Sequence, residues 1–182
     1  FIDNHSSVNR PPISELRNTK DGTLIAELSK ADISLLQNNT NRQPPEEFIV
    51  KADDNTTDLY GVLYKPKNFN PNKKYPIIDL IYSGPFMTIV PNEYMAPSVY
   101  PLYAHAFSQM GFIVFMVDPR GTTQRSKAFQ DASYGQIGHI VIPDHVATIK
   151  QLANTRPYID LNRVGIYGHS WGGYFALRAM LT

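Results

Sequence analysis

Three stretches of this chain are almost continuously apolar, and each is short. Pro76-Ile77-Ile78-Asp79-Leu80-Ile81-Tyr82 runs up to Gly84-Pro85, Phe112-Ile113-Val114-Phe115-Met116-Val117 runs up to Asp118-Pro119-Arg120-Gly121, and Arg163-Val164-Gly165-Ile166-Tyr167 runs up to Gly168. Runs of this length bounded by turn residues read as strands buried on both faces. The segments between and after them carry the helical spacing instead. Tyr103 to Met110 is amphipathic, Pro143 to Ala153 places Val146, Ile149 and Leu152-Ala153 on one side, and Tyr174 to Leu181 continues the pattern. Upstream, Phe48 to Ala52 and Leu59 to Tyr64 read as two strands about a turn at Asp53-Asp54-Asn55. Buried strands alternating with helices predict an α/β fold with a mostly parallel sheet and helices on both faces.

The first part of the chain differs in character. Residues 1 to about 40 show short alternating segments broken by turn signals at Pro11-Pro12 and Asp21-Gly22, with a strand expected over Thr23 to Leu28 and a single helical turn over Asp32 to Leu36. Residues 38 to 45, polar and closed by Pro44-Pro45, form the expected connection, which divides the chain into residues 1–42 and 43–182.

Composition narrows the function classes. With 182 residues the chain can bury a real core, and 42% hydrophobic against 18% charged residues is an ordinary globular balance. A net charge of +1 supplies no electrostatic reason for a nucleic-acid or anionic-membrane partner. No apolar run approaches the length of a membrane span. The absence of cysteine removes disulfides, a thiol nucleophile and thiolate metal sites, and no residue pattern calls for a metal or cofactor. The chain opens Phe1-Ile2-Asp3-Asn4, which reads as the middle of a longer protein.

The segment that carries chemistry is Gly168-His169-Ser170-Trp171-Gly172-Gly173-Tyr174. A serine hydroxyl attacks a carbonyl only when it is positioned and relieved of its proton. A sharp turn from a strand into a helix exposes the oxygen and aims the first helical amides at the reacting carbonyl. That turn crowds its neighbours, and Gly168 and Gly172 stand two residues before and two after Ser170, where bulk would clash. A second oxyanion donor is needed beside the Trp171 amide. No His-Gly-Gly-Gly segment is present, and the end of the first buried strand offers Tyr82-Ser83-Gly84-Pro85, whose Tyr82 hydroxyl could donate. Asp144 and His145 stand at the start of an expected helix, where an Asp acts as a cap and dipole partner.

The run Arg163 to Tyr174 resembles the nucleophile region of the prolyl oligopeptidase family of serine peptidases, in particular its dipeptidyl peptidase IV branch. Lys73-Lys74-Tyr75-Pro76 through Tyr82-Ser83-Gly84-Pro85, Leu63-Tyr64-Lys65-Pro66 with Asn68-Phe69, and Asp118-Pro119-Arg120-Gly121 match the same branch in the same order. Phe1 to Ser6 with Pro11-Pro12 resembles the last strands of the β-propeller that precedes the hydrolase domain there. The resemblance implies the N-terminal part of an α/β-hydrolase domain over residues 43–182, preceded by the last propeller strands over 1–42. It implies Ser170 as nucleophile, Tyr82 as oxyanion hydroxyl, and Trp171 as both oxyanion amide and a wall of the pocket for the residue preceding the scissile bond. A short peptide cleaved after Pro or a small residue is the implied substrate, with no cofactor. Members of this family often work outside the cytosol, so a periplasmic or secreted setting is the expectation.

Chain order in this fold is Ser, then Asp or Glu, then His. All five histidines precede or adjoin Ser170, and the 12 residues after it hold neither His nor acid. The triad acid and base are therefore expected beyond Thr182, and the isolated chain is expected to be inactive. The expected partners are the remainder of the same protein and, in a homodimer, a second copy. An esterase or other acyl hydrolase on the same fold, and a non-catalytic piece, stay open as alternatives.

Overall fold

The computed structural model describes residues 1–36, 43–95 and 98–182. The expected 42/43 division and the first part of the 38–45 connection fall on residues 37–42, outside the described residues. Two compact units are present, one of residues 1–45 with 91–97, the other of residues 46–90 with 98–182.

In the first unit, β1 (Ile2–Ser7), β2 (Arg10–Arg17) and β3 (Leu24–Lys30) form an antiparallel sheet in that order. Asp21-Gly22 makes the expected turn. Gly22 takes φ 73° and donates to the Asn18 carbonyl at 2.9 Å, and Asp21 accepts from the Thr23 amide. Pro11-Pro12 is corrected from a turn to strand. The register with β1 is irregular between His5 and Ser7, so two residues without an N–H sit where the ladder is already broken. A helical turn occupies residues 34–36.

The second unit is built on a five-stranded sheet in the order β4-β5-β7-β6-β8: β4 (Glu46–Lys51), β5 (Asp58–Tyr64), β6 (Tyr75–Leu80), β7 (Ile113–Val117) and β8 (Ile159–Tyr167). The expected parallel pairing holds for β7-β6-β8, whereas β4 with β5 and β5 with β7 are antiparallel. The helices are α1 (Val99–Gln109), α2 (Lys127–Asp131), α3 (Ile137–Thr155) and α4 (Trp171–Leu181).

Side chains of β7 alternate between two cores, as the period of a strand requires. Ile113, Phe115 and Val117 join Leu152 and Ile159 under α3, while Val114 and Met116 join Tyr100 and Ala104 of α1. Phe175 of α4 packs with Val141 of α3 on Ile81. Two expectations are corrected here. Helix α3 starts at Ile137 and runs through Pro143, six residues earlier than the spacing suggested. Strand β8 is exposed along most of its length, with Val164 50% exposed, because it pairs with β6 alone in the described sheet. Apolar content marks a strand but not how many neighbours it has.

Candidate active site

Parallel pairing brings the ends of β6 and β8 to one edge of the sheet. Leu80 lies opposite Tyr167, and the Ile81 amide donates to the Tyr167 carbonyl at 2.9 Å. The two chains thus leave the sheet side by side, one as Tyr82-Ser83-Gly84 and the other as Gly168-His169-Ser170. Ser170 is the residue before α4, with φ 59° and ψ −119°, a left-handed backbone that a non-glycine residue adopts only when its surroundings force it. The glycines explain how the turn closes. A Cβ on Gly168 would run into the Gly172 backbone, and a Cβ on Gly172 would run into the Ile81 carbonyl. Helix α4 can therefore begin directly against the end of β6.

Ser170 is exposed, and Trp171 after it is 41% exposed. As the first helical residue, Trp171 has an amide with no acceptor inside the helix. Tyr82 is buried. Its ring lies 5.2 Å from Tyr100 and 6.3 Å from Phe86, and Phe86 in turn lies 6.5 Å from Trp171. Burial, then the charge and hydrogen bond of Tyr82, push the Tyr100 phenol up to about 12.

The loop after Tyr82 is tied down from two directions. Gln130 Nε2 donates to the Pro85 carbonyl at 2.7 Å, and the Ile89 amide donates to Asp118 Oδ1 at 2.9 Å. Burial raises the Asp118 carboxyl to about 6 against the pull of the Ile89 and Val90 amides. Tyr100, Gln130 and Asp118 carry no chemical signal in the sequence beyond the Asp that closes an apolar run. Among the described residues no imidazole or carboxylate hydrogen-bonds the Ser170 hydroxyl, and the neighbouring His169 is exposed.

Asp144 and His145 do not open a helix. Both are buried in the second turn of α3 and beyond, and the capping expectation is corrected. Asp144 accepts from the Arg120 guanidinium at 2.6 Å and from the amides of Arg120 and Asp53. His145 Nδ1 lies 2.9 Å from both oxygens of Asp79, the one charge in the apolar run of β6. In the first unit Asp3, His5 and Glu15 converge closely enough to hold an ion, but Arg17 already reaches Glu15 at 2.6 Å and Asp3 at 3.2 Å.

Residues 97–182 match the model of the prolyl oligopeptidase family. Dipeptidyl peptidase 8 of Mus musculus is 38% identical over 138 residues, 76% of this chain and 15% of that protein. A solved structure of a candidate dipeptidyl aminopeptidase IV from Bacteroides ovatus superposes with a TM-score of 0.85 at 31% identity, over 99% of this chain and 25% of that one. The structure of Porphyromonas gingivalis dipeptidyl peptidase 4 gives 0.76 at 28% identity, over 98% and 24%. The chain spans at most a quarter of the length of these proteins. It belongs to the prolyl oligopeptidase family, and its relatives there are dipeptidyl peptidases.

Proposed function

We propose that the protein is a serine peptidase that cleaves short peptides through an acyl-enzyme on Ser170, with the dipeptidyl specificity that its relatives' names state and a preference for Pro or a small residue before the scissile bond. In this reading the five-stranded sheet belongs to the N-terminal half of an α/β-hydrolase domain. The three antiparallel strands before it are the last of a β-propeller.

One observation carries the proposal: an exposed serine in a left-handed turn at the head of a helix, packed through Gly172 against the strand end that presents Tyr82. Ser170 Oγ attacks the carbonyl carbon, and the developing oxyanion takes hydrogen bonds from the Trp171 amide and the Tyr82 hydroxyl. The serine proton passes to a base and then to the leaving amine, and water releases the acyl group. This reading takes the base and its acidic partner from outside residues 1–182.

The test is fluorophosphonate labelling of the full-length protein, read by mass spectrometry. The label is expected on a peptide containing Ser170 and absent in Ser170→Ala. Labelling elsewhere, or none in a protein that hydrolyses a dipeptidyl chromogenic amide, would reject Ser170 as nucleophile.

A further inference from the structure

The chain between Tyr82 and α1 does not stay within one unit. Residues up to Val90 belong with the sheet that carries Ser170, while residues 91–97 group with the three antiparallel strands, where the Tyr94 amide donates to Ser6 Oγ at 3.3 Å. A loop that leaves so soon after Tyr82 passes any displacement of its far end back to that residue unless it is anchored. Asp118 supplies an anchor. It is the first residue past β7, and the register that sets Asp79 opposite Phe115 brings the ends of β6 and β7 to the same edge of the sheet. Its own backbone is fixed from the other side, where its amide donates to the Tyr60 carbonyl of β5 at 3.3 Å. Its carboxylate accepts from the Ile89 amide at 2.9 Å and from the Val90 amide, the last two N–H groups before the chain crosses at Pro91. Ile89 is buried in the same core as Leu80, Tyr82 and Tyr100. Closer to Tyr82, the Phe86 ring folds over Gly84 so tightly that a Cβ there would meet it, and it stands 6.3 Å from the Tyr82 ring. Tyr82 therefore rests against a loop whose far end is held by one carboxyl group.

Resting on the oxyanion role given to Tyr82 above, we propose that Asp118 is a positioning residue for the Tyr82 hydroxyl, which it holds in place through the loop of residues 83–90. Asp118 touches no reacting atom. An oxyanion donor acts only within about 2.7–3.1 Å of the developing charge, and a misplacement of about 1 Å can cost about 10² in rate. Without the Asp118 carboxyl, two amides lose their acceptor and the loop must move to find others. Ser170 is spared, because its turn is built by Gly168 and Gly172 on another segment. The loss therefore falls on kcat and leaves KM nearly unchanged, since the donor serves the transition state more than the bound substrate.

The experiment is a double-mutant cycle on the full-length protein: wild type, Tyr82→Phe, Asp118→Ala and the two changes together. Each is assayed for kcat and KM on a dipeptidyl chromogenic amide, with active sites counted by fluorophosphonate so that unfolded protein does not read as a lost rate. With Tyr82 present, Asp118→Ala is expected to lower kcat about tenfold with KM little changed. In the Tyr82→Phe background the same change should cost less than about twofold, because its effect runs through a hydroxyl that is already gone. Asp118→Asn keeps one acceptor oxygen and should fall between wild type and Asp118→Ala; it takes the place of Asp118→Ala in the cycle if that variant does not fold. Equal losses in the two backgrounds, or no loss in either, overturn the positioning role alone. A Tyr82→Phe variant as fast as wild type overturns the oxyanion reading, and a wild-type protein inactive on the amide overturns the dipeptidyl reading, each taking the positioning role with it.

Discussion

Ser170 holds a backbone conformation that costs about 1–3 kcal/mol, and the residues around it show what maintains the strain. Gly172→Ala would drive a methyl group into the Ile81 carbonyl, so α4 would have to move off the end of β6. The expected result is loss of fluorophosphonate labelling, together with a lowered unfolding midpoint. Tyr82→Phe should spare labelling but lower kcat by about 10²–10³, the range for one oxyanion donor, with KM little changed. A smaller loss would mean that the Tyr82 proton is not aimed at the oxyanion. Asp118 yields a prediction in pH. Its carboxyl is raised from an ordinary value near 3.8 to about 6, so between these values the folded protein binds more protons than the unfolded one. Its contribution to stability is therefore greatest below about pH 4, is lost as pH rises through 6, and is flat above. The stability of wild type relative to Asp118→Asn should fall by at most about 3 kcal/mol over that window. Denaturant melts of the two proteins at pH 4, 5, 6 and 7 decide it, and a constant difference would show that the buried carboxyl titrates normally.

At the scale of elements, α3 holds the unit together through charge as well as apolar contact. Asp144 is fully buried and satisfies one guanidinium and two backbone amides, joining the end of β7 to the turn between β4 and β5. Asp144→Ala would leave Arg120 without its principal partner in a largely dry site. It should cost about 3–5 kcal/mol by chemical denaturation, against less than about 1 kcal/mol for the exposed Lys127–Asp131 pair. This network also marks where the sequence could be read and where it could not. Strands β6 and β7 were legible because an apolar run needs no partner to be recognised, and the serine turn was legible because Gly168 and Gly172 serve a single local geometry. Asp144 and His145 read as a helix start because Pro143 imitates one, and nothing in the chain order says that residues 53, 120 and 144 meet. The pairing of Asp79 with His145 across 66 residues had the same obstacle, although an Asp within an apolar strand was the available signal.

For the whole molecule, the apolar face of β8 and α4 is the feature with the largest physical consequence. Val164 on the strand, and Leu177 and Met180 on the helix, are each half exposed or more. A groove of about 530 Å³ runs between α3, α4 and β8, with the Asp79–His145 pair at its wall and His145 Nε2 buried without a hydrogen-bond partner. An exposed strand edge beside an apolar helix face attracts further strands and hydrophobic ligands. The 182-residue polypeptide prepared alone should therefore bind a hydrophobic dye and self-associate as its concentration rises. Leu177→Lys with Met180→Lys should suppress both effects, because a charge at the centre of the face opposes close approach of a second apolar surface. The Lys127→Ala change, on the other side of α4, should leave self-association as it is. Sedimentation velocity across a concentration series, with dye fluorescence in parallel, separates the outcomes. A monodisperse monomer without dye uptake would mean that this face is too broken at Gly165 to act as one surface.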